Sequence, residues 1–168
     1  MALVLNTNSY VAISDADVYL ETRIDSANWF SATEEVKGQA LVTASLIIDD
    51  NSWIGSAVSS SQPLAWPRKN AMYNDNRLGL SVTLTDSEIP NRVKVAVYEQ
   101  ALHLVDNEDL LMGATQTFES ISVGSISISD SNGDVSKIPM KSAHATKSIR
   151  PLLIRGAVGQ GASWWRAN

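Results

Sequence analysis

Cysteine is absent from the 168-residue chain. Its absence excludes a disulfide framework, a cysteine-based zinc site and a thiol nucleophile. Long apolar runs are missing too, since no stretch approaches the roughly 20 residues that span a bilayer. The apolar start Met1 to Leu5 gives way at once to Asn6-Thr7-Asn8, so no secretory signal and no membrane association are expected. Histidine is limited to two residues, His103 and His144. Acid is missing from one end: all eighteen acidic residues lie at or before Asp134.

What is present describes an ordinary globular chain, 44% hydrophobic and 18% charged. A chain of this length buries roughly 70% of the surface it exposes when unfolded, enough for a core of its own. Six of the thirteen basic residues follow Asp134: Lys137, Lys141, Lys147, Arg150, Arg155 and Arg166. The remaining seven face all eighteen acids, so residues 1–134 carry −11 within an overall −5. That asymmetry points to a C-terminal arm seeking an acidic partner.

Hydrophobic spacing predicts helices and little else of length. Ser14, followed by Asp15 and Asp17, suits the start of a short helix running to about Arg23. Ser31-Ala-Thr-Glu34 reads as a capping box, and Val36, Ala40, Leu41, Ala44, Ile47 and Ile48 follow at helical spacing to about Asp50. Residues 51–70 read as a long loop that packs down on Trp53 and Trp66. Leu78, Leu80, Val82 and Leu84 alternate like a hairpin strand, turned near Asn74-Asp75-Asn76. Pro90 suits N1 of a helix ending near Asn107, with Val93, Val97, Gln100, Ala101 and Leu104 inward. From Phe118 the period is two, with a bulge or bend at Gly124, a type I′ turn at Asn132-Gly133 and a return strand through Val135 and Ile138. Residues 142–154 read as a last helix interrupted by Pro151. The expected fold is mainly α, a small helical bundle with β insertions around 72–84 and 116–138. Residues 1–154 form its body and 155–168 a flexible C-terminal arm.

No constellation supplies a nucleophile, a base and an orienter together, so no enzyme, metal site or cofactor is expected. Asp130-Ser-Asn132-Gly-Asp134 resembles half a calcium loop, but Val135 and Lys141 stand where that loop needs Gly and Glu. Asp106, Glu108 and Asp109 read as a solvated helix exit, Asp15 and Asp17 as helix-start residues, and His103 as structural. Gly156, Gly159 and Gly161 lack the Lys-Ser/Thr of a phosphate loop and read as a linker. At its end stand Trp164, Trp165 and Arg166, residue types that anchor interfaces and stack on single-stranded bases.

Several blocks in order carry a resemblance: Asn8-Ser-Tyr-Val-Ala-Ile-Ser-Asp-Ala-Asp-Val-Tyr-Leu20, Gln62-Pro-Leu-Ala-Trp-Pro-Arg68, Ile89-Pro-Asn-Arg-Val-Lys-Val-Ala-Val97, Ser122-Val-Gly-Ser-Ile-Ser-Ile128 and Ile149-Arg-Pro-Leu-Leu153. Over residues 8–154 the chain resembles a tailed-bacteriophage family labelled DnaT-like single-stranded-DNA-binding protein, which looks like the head–tail connector, or adaptor, proteins. The tail after Arg155 falls outside the shared pattern. The resemblance implies a structural subunit of the virion neck. It would form a ring, usually of twelve copies, beneath the portal protein, bridge it to a tail, nozzle or tail-completion protein, and let double-stranded DNA pass through. In that setting Trp66, which anchors the long loop, and Arg68, which pairs with a neighbouring subunit's acid, mark a subunit interface, while Arg155, Trp164, Trp165 and Arg166 dock the arm on a partner. The alternatives are a single-stranded-DNA-binding module and a tail-completion or terminator protein. Against DNA binding stands the acidic body, which leaves only the tail for phosphate.

Overall fold

A computed structural model describes residues 2–107, 120–123, 126–129 and 141–154. The helices are α1 (Ile13–Leu20), α2 (Ala27–Ser31), α3 (Glu34–Asp49), α4 (Asn91–Asp106) and α5 (Ala143–Ile149), the last continued by a 3-10 turn, Arg150–Leu152. Among the described residues six strands pair antiparallel in twos: β1 (Ser56–Ala57) with β2 (Arg68–Lys69), β3 (Met72–Asp75) with β4 (Leu80–Thr83), and β5 (Ser120–Val123) with β6 (Ile126–Ser129). The expected mainly α bundle is therefore corrected to a small mixed α/β domain. The reason lies in residues 51–90. Their polar composition resembles a loop, yet Trp53, Leu64, Trp66 and Ala71 are buried in the same core as the helices. Two short ladders pair part of the backbone that this burial withdraws from water.

The core is centred on α3 against α4, with α5 also packed on α4. Leu41, Ala44 and Ile48 of α3, Val93, Val97 and Ala101 of α4, and Ala145 and Ile149 of α5 are essentially inaccessible. Alanines in these contacts let the helix backbones approach closely, while Trp29, Tyr10 and Leu20 supply bulk. The five residues expected to face inward from α4 are buried, Gln100 included, and burial extends to Ala96, Tyr98, Glu99, Leu102 and Val105; Gln100 Oε1 accepts from the Ser142 amide at 2.9 Å and thereby fixes the start of α5.

Element ends differ from expectation in ways that local chemistry explains. The cap of α3 is Thr33, whose Oγ1 accepts from the Val36 amide at 3.3 Å. Ser31 instead closes α2 and donates to the Asn28 carbonyl. Pro90 is the N-cap of α4 rather than its first helical residue. α1 starts at Ile13 and stops at Leu20, with the Asp15 carboxylate accepting from the Ala12 amide. Val123 pairs with Ile126 and Ile121 with Ile128, an antiparallel pairing; Gly124, where a bulge or bend was expected, lies outside the described residues. A one-residue shift of a period-two pattern is also what a two-residue hairpin connection produces. The expected turn at Asn132-Gly133 and the return strand through Val135 and Ile138 lie outside the described residues.

Segment 52–54 straps the end of the body. Ile54 N donates to Leu152 O at 3.0 Å, Ile154 N donates to Ser52 O at 2.8 Å, and Trp53 pairs with Leu153 as an antiparallel bridge. No helix among the described residues is long and apolar enough to cross a membrane.

Candidate nucleic-acid interface

Charge is segregated in this fold. Residues 1–67 hold eight acidic residues and two basic ones, Arg23 and Lys37. Both cations are tied inward. Arg23 bridges the buried Glu99 at 2.7 Å and Asp25 at 3.0 Å. Lys37 meets Asp17 at 3.0 Å and sits over the rings of Trp29 and Phe30. The Tyr19 hydroxyl donates to Glu99 at 2.6 Å; burial first, and that bond second, push it up to about 12.

Residues 68–94 and 141–154 carry the opposite sign. Together they hold Arg68, Lys69, Arg77, Arg92, Lys94, Lys141, Lys147 and Arg150 against Asp75, Asp86 and Glu88. The fold brings the two segments together, because β3 packs on the 3-10 turn and α5 on α4. Ser148 Oγ donates to the Arg92 carbonyl at 2.8 Å, which sets the C-terminal end of α5 beside the N-terminal turn of α4. Within these segments Lys147, Arg150, Lys69 and Arg77 are exposed, the Arg77 side chain at 80%. Met72, Leu78, Leu80 and Ile154 add exposed apolar surface to the same segments.

The first turn of α4 sharpens this pattern. It holds Arg92 and Lys94 and no acid. Cations at a helix N-terminus oppose the macrodipole, so their charge adds to the positive end of the helix instead of offsetting it. Arg92 is anchored by Asp75 of the hairpin, buried at 3% exposure: its Nη2 meets the carboxylate at 3.0 Å and its Nε donates to the Tyr73 hydroxyl at 3.3 Å. These bonds, Tyr73 foremost, raise the Arg92 pKa, and the Arg92 guanidinium holds the Asp75 carboxyl below the usual carboxylate range.

Of the residues singled out in the sequence, Trp66 is 2% exposed and packs edge-on against Trp53, with ring centroids 5.6 Å apart. Its amide donates to the Tyr10 hydroxyl, which in turn donates to the Asp49 carboxylate. The Arg68 guanidinium holds three carbonyls of its own loop, Ile54 at 2.8 Å, Gly55 at 2.9 Å and Ala65 at 3.3 Å. Asp106 accepts from Asn28 Nδ2, and among the described residues no group of three or more acidic or histidine side chains could hold a metal ion. Arg155, Trp164, Trp165 and Arg166 lie outside the described residues, as do Glu108, Asp109, Asp130 and Asp134. Sequence reasoning passed over Lys69, Arg77, Lys94, Lys147 and Arg150 as a group. The available signal was local: five basic residues against three acidic in 68–94, hidden once charge was averaged over residues 1–134.

A family profile described as "Putative DnaT-like ssDNA binding protein" matches residues 2–167. No curated protein and no solved structure matches the chain. The match runs through the C-terminal tail, so the tail belongs to the shared pattern after all. It also overturns the expectation of a ring-forming head–tail connector: the family is described by single-stranded DNA, and nothing supports a portal or tail partner.

Proposed function

We propose, on the premise that the chain belongs to this DnaT-like ssDNA binding family, that it acts by binding single-stranded DNA through its basic face and without turnover. What supports the reading is the packing of segment 68–94 against 141–154, two segments that together hold eight basic residues against three acidic ones. Arg77, Lys147, Arg150, Lys69 and Lys94 are assigned to phosphates. The arm supplies a second contact, with Trp164 and Trp165 stacking on bases and Arg155 and Arg166 adding charge. The acidic opposite side repels the strand and restricts it to one track.

Counterion release gives the test. Each phosphate neutralised on a single strand contributes about 0.7 to the slope of log affinity against log salt, so four to five contacts give a slope of about −3. Fluorescence anisotropy on an oligo-dT, titrated from about 50 to about 200 mM salt, measures it. Arg77→Glu/Lys147→Glu/Arg150→Glu should lower affinity by about a hundredfold and flatten the slope. Unchanged affinity in that triple variant, with native circular dichroism, would remove the basic face from the reading.

A further inference from the structure

We infer that Arg92 is a nucleobase-stacking shelf, a guanidinium plane prepared to receive a flipped-out base rather than a phosphate. The inference rests on the single-stranded-DNA reading of the same face. Three contacts fix the guanidinium. Nη2 meets Asp75 at 3.0 Å, Nε meets the Tyr73 hydroxyl at 3.3 Å, and Cζ stands over the Tyr73 ring, 5.3 Å from its centroid. Two of its nitrogens are engaged by protein acceptors and its charge is balanced by a buried carboxylate. Arg92 is therefore a poorer partner for phosphate than the exposed Arg77.

The plane is what remains for a ligand. The bonds to Asp75 and Tyr73 take N–H groups at its edge, and 29% of the side chain stays in solvent. Arginine planes and aromatic rings are the surfaces on which unstacked bases settle, and the preference is sequence-tolerant because every base has a π-face. A guanidinium already held in one orientation loses little freedom when a base arrives. Tyr73 and Asp75 act through it as positioning residues. Arg77 follows Asp75 by two residues, Lys94 follows Arg92 by two, and Arg150 opens the 3-10 turn that packs on β3, so these cations are the candidates for the phosphates of the same nucleotides.

The test separates base from phosphate. Full-length protein carrying Trp164→Ala/Trp165→Ala, which removes the arm's stacking rings, is titrated with oligo-dT and with an abasic tetrahydrofuran oligomer of equal length and charge. The expected result is a preference of about tenfold for oligo-dT. Arg92→Lys keeps the charge and loses the plane, so the preference should fall to near unity while the salt slope and the abasic affinity stay the same. Tyr73→Leu, which leaves the Asp75 carboxylate in place, should give an intermediate value. Equal affinity for the two oligomers before Arg92 is changed overturns the shelf and leaves phosphate binding standing; a preference that survives Arg92→Lys also overturns it. Failure to bind either oligomer refutes the single-stranded-DNA reading itself.

Discussion

α3 and α4 have the same length and share one core, yet their first turns are built oppositely. α3 begins with Glu34 and Glu35 behind a threonine cap, the arrangement a helix dipole favours. α4 begins with Arg92 and Lys94 behind a proline that caps nothing with its side chain. Each misplaced cation costs about 0.3–1 kcal/mol at a helix start. Charge in residues 1–67 thus follows what the fold prefers, whereas charge around the start of α4 runs against it. Arg92 there answers to Asp75 of the hairpin at 3.0 Å, so its place at the helix start serves the contact with β3 rather than the dipole.

The strongest way to break the comparison is to damage the acidic side alone. Trp29 is fully buried, and its Nε1 donates to Asp17 at 2.7 Å. Trp29→Ala should cost about 3–5 kcal/mol, read as a lower urea midpoint. Oligo-dT affinity of the protein that remains folded should not change, because none of the assigned contacts lies on that side.

The basic side answers to pH. The Asp75 carboxyl is held below its ordinary value, first by the Arg92 hydrogen bond and also by the Arg77 amide. A depressed carboxyl contributes stability that is complete above its unfolded value of about 3.9 and is lost as pH falls through the lower folded value. Asp75→Asn should therefore lower the urea midpoint at neutral pH, and the gap from the unchanged protein should close on acidification below about pH 4. Hydrogen exchange should place the accompanying loss of protection in β3 and β4. A gap that persists in acid would mean that packing, not charge, anchors the hairpin.

The smallest expected effect sharpens the contrast. Glu34→Lys/Glu35→Lys inverts the start of α3 and shifts net charge by four, but at physiological salt the screening length is about 8 Å. Oligo-dT affinity measured by anisotropy should stay within about twofold. A tenfold gain would show that the strand senses total charge rather than a local face.

Much of the helical frame was legible because helical period survives any context. All five residues expected to face inward from α4 are buried, but so are Ala96, Tyr98, Glu99, Leu102 and Val105, because the helix is packed on more than one face. The cap of α3 slipped by two positions because Ser31 and Thr33 both offer a hydroxyl, and burial of Trp29 in α2 accompanies the assignment of Ser31 to the earlier helix. Fold class was misjudged because two-residue ladders such as Ser56–Ala57 with Arg68–Lys69 are too short to show a period. The basic face was illegible for a different reason. Arg92 and Ser148 lie 56 positions apart, and only the α4–α5 packing makes them neighbours.

The strap between 52–54 and 152–154 has a consequence for how the molecule is made. Trp53 and Leu153 are a hundred residues apart, and Ala145, Ile149 and Leu152 complete the core. On a ribosome, which adds about 5–20 residues each second, the first helices emerge well before the segment that closes over them. Until then the faces of α3 and α4 that α5 and the strap will help enclose remain open to water. Contacts of such long sequence separation slow folding through loop-closure entropy. The nascent chain therefore waits unfinished for most of its synthesis, and a chain terminated early, before α5, is left with an open seam rather than a smaller domain.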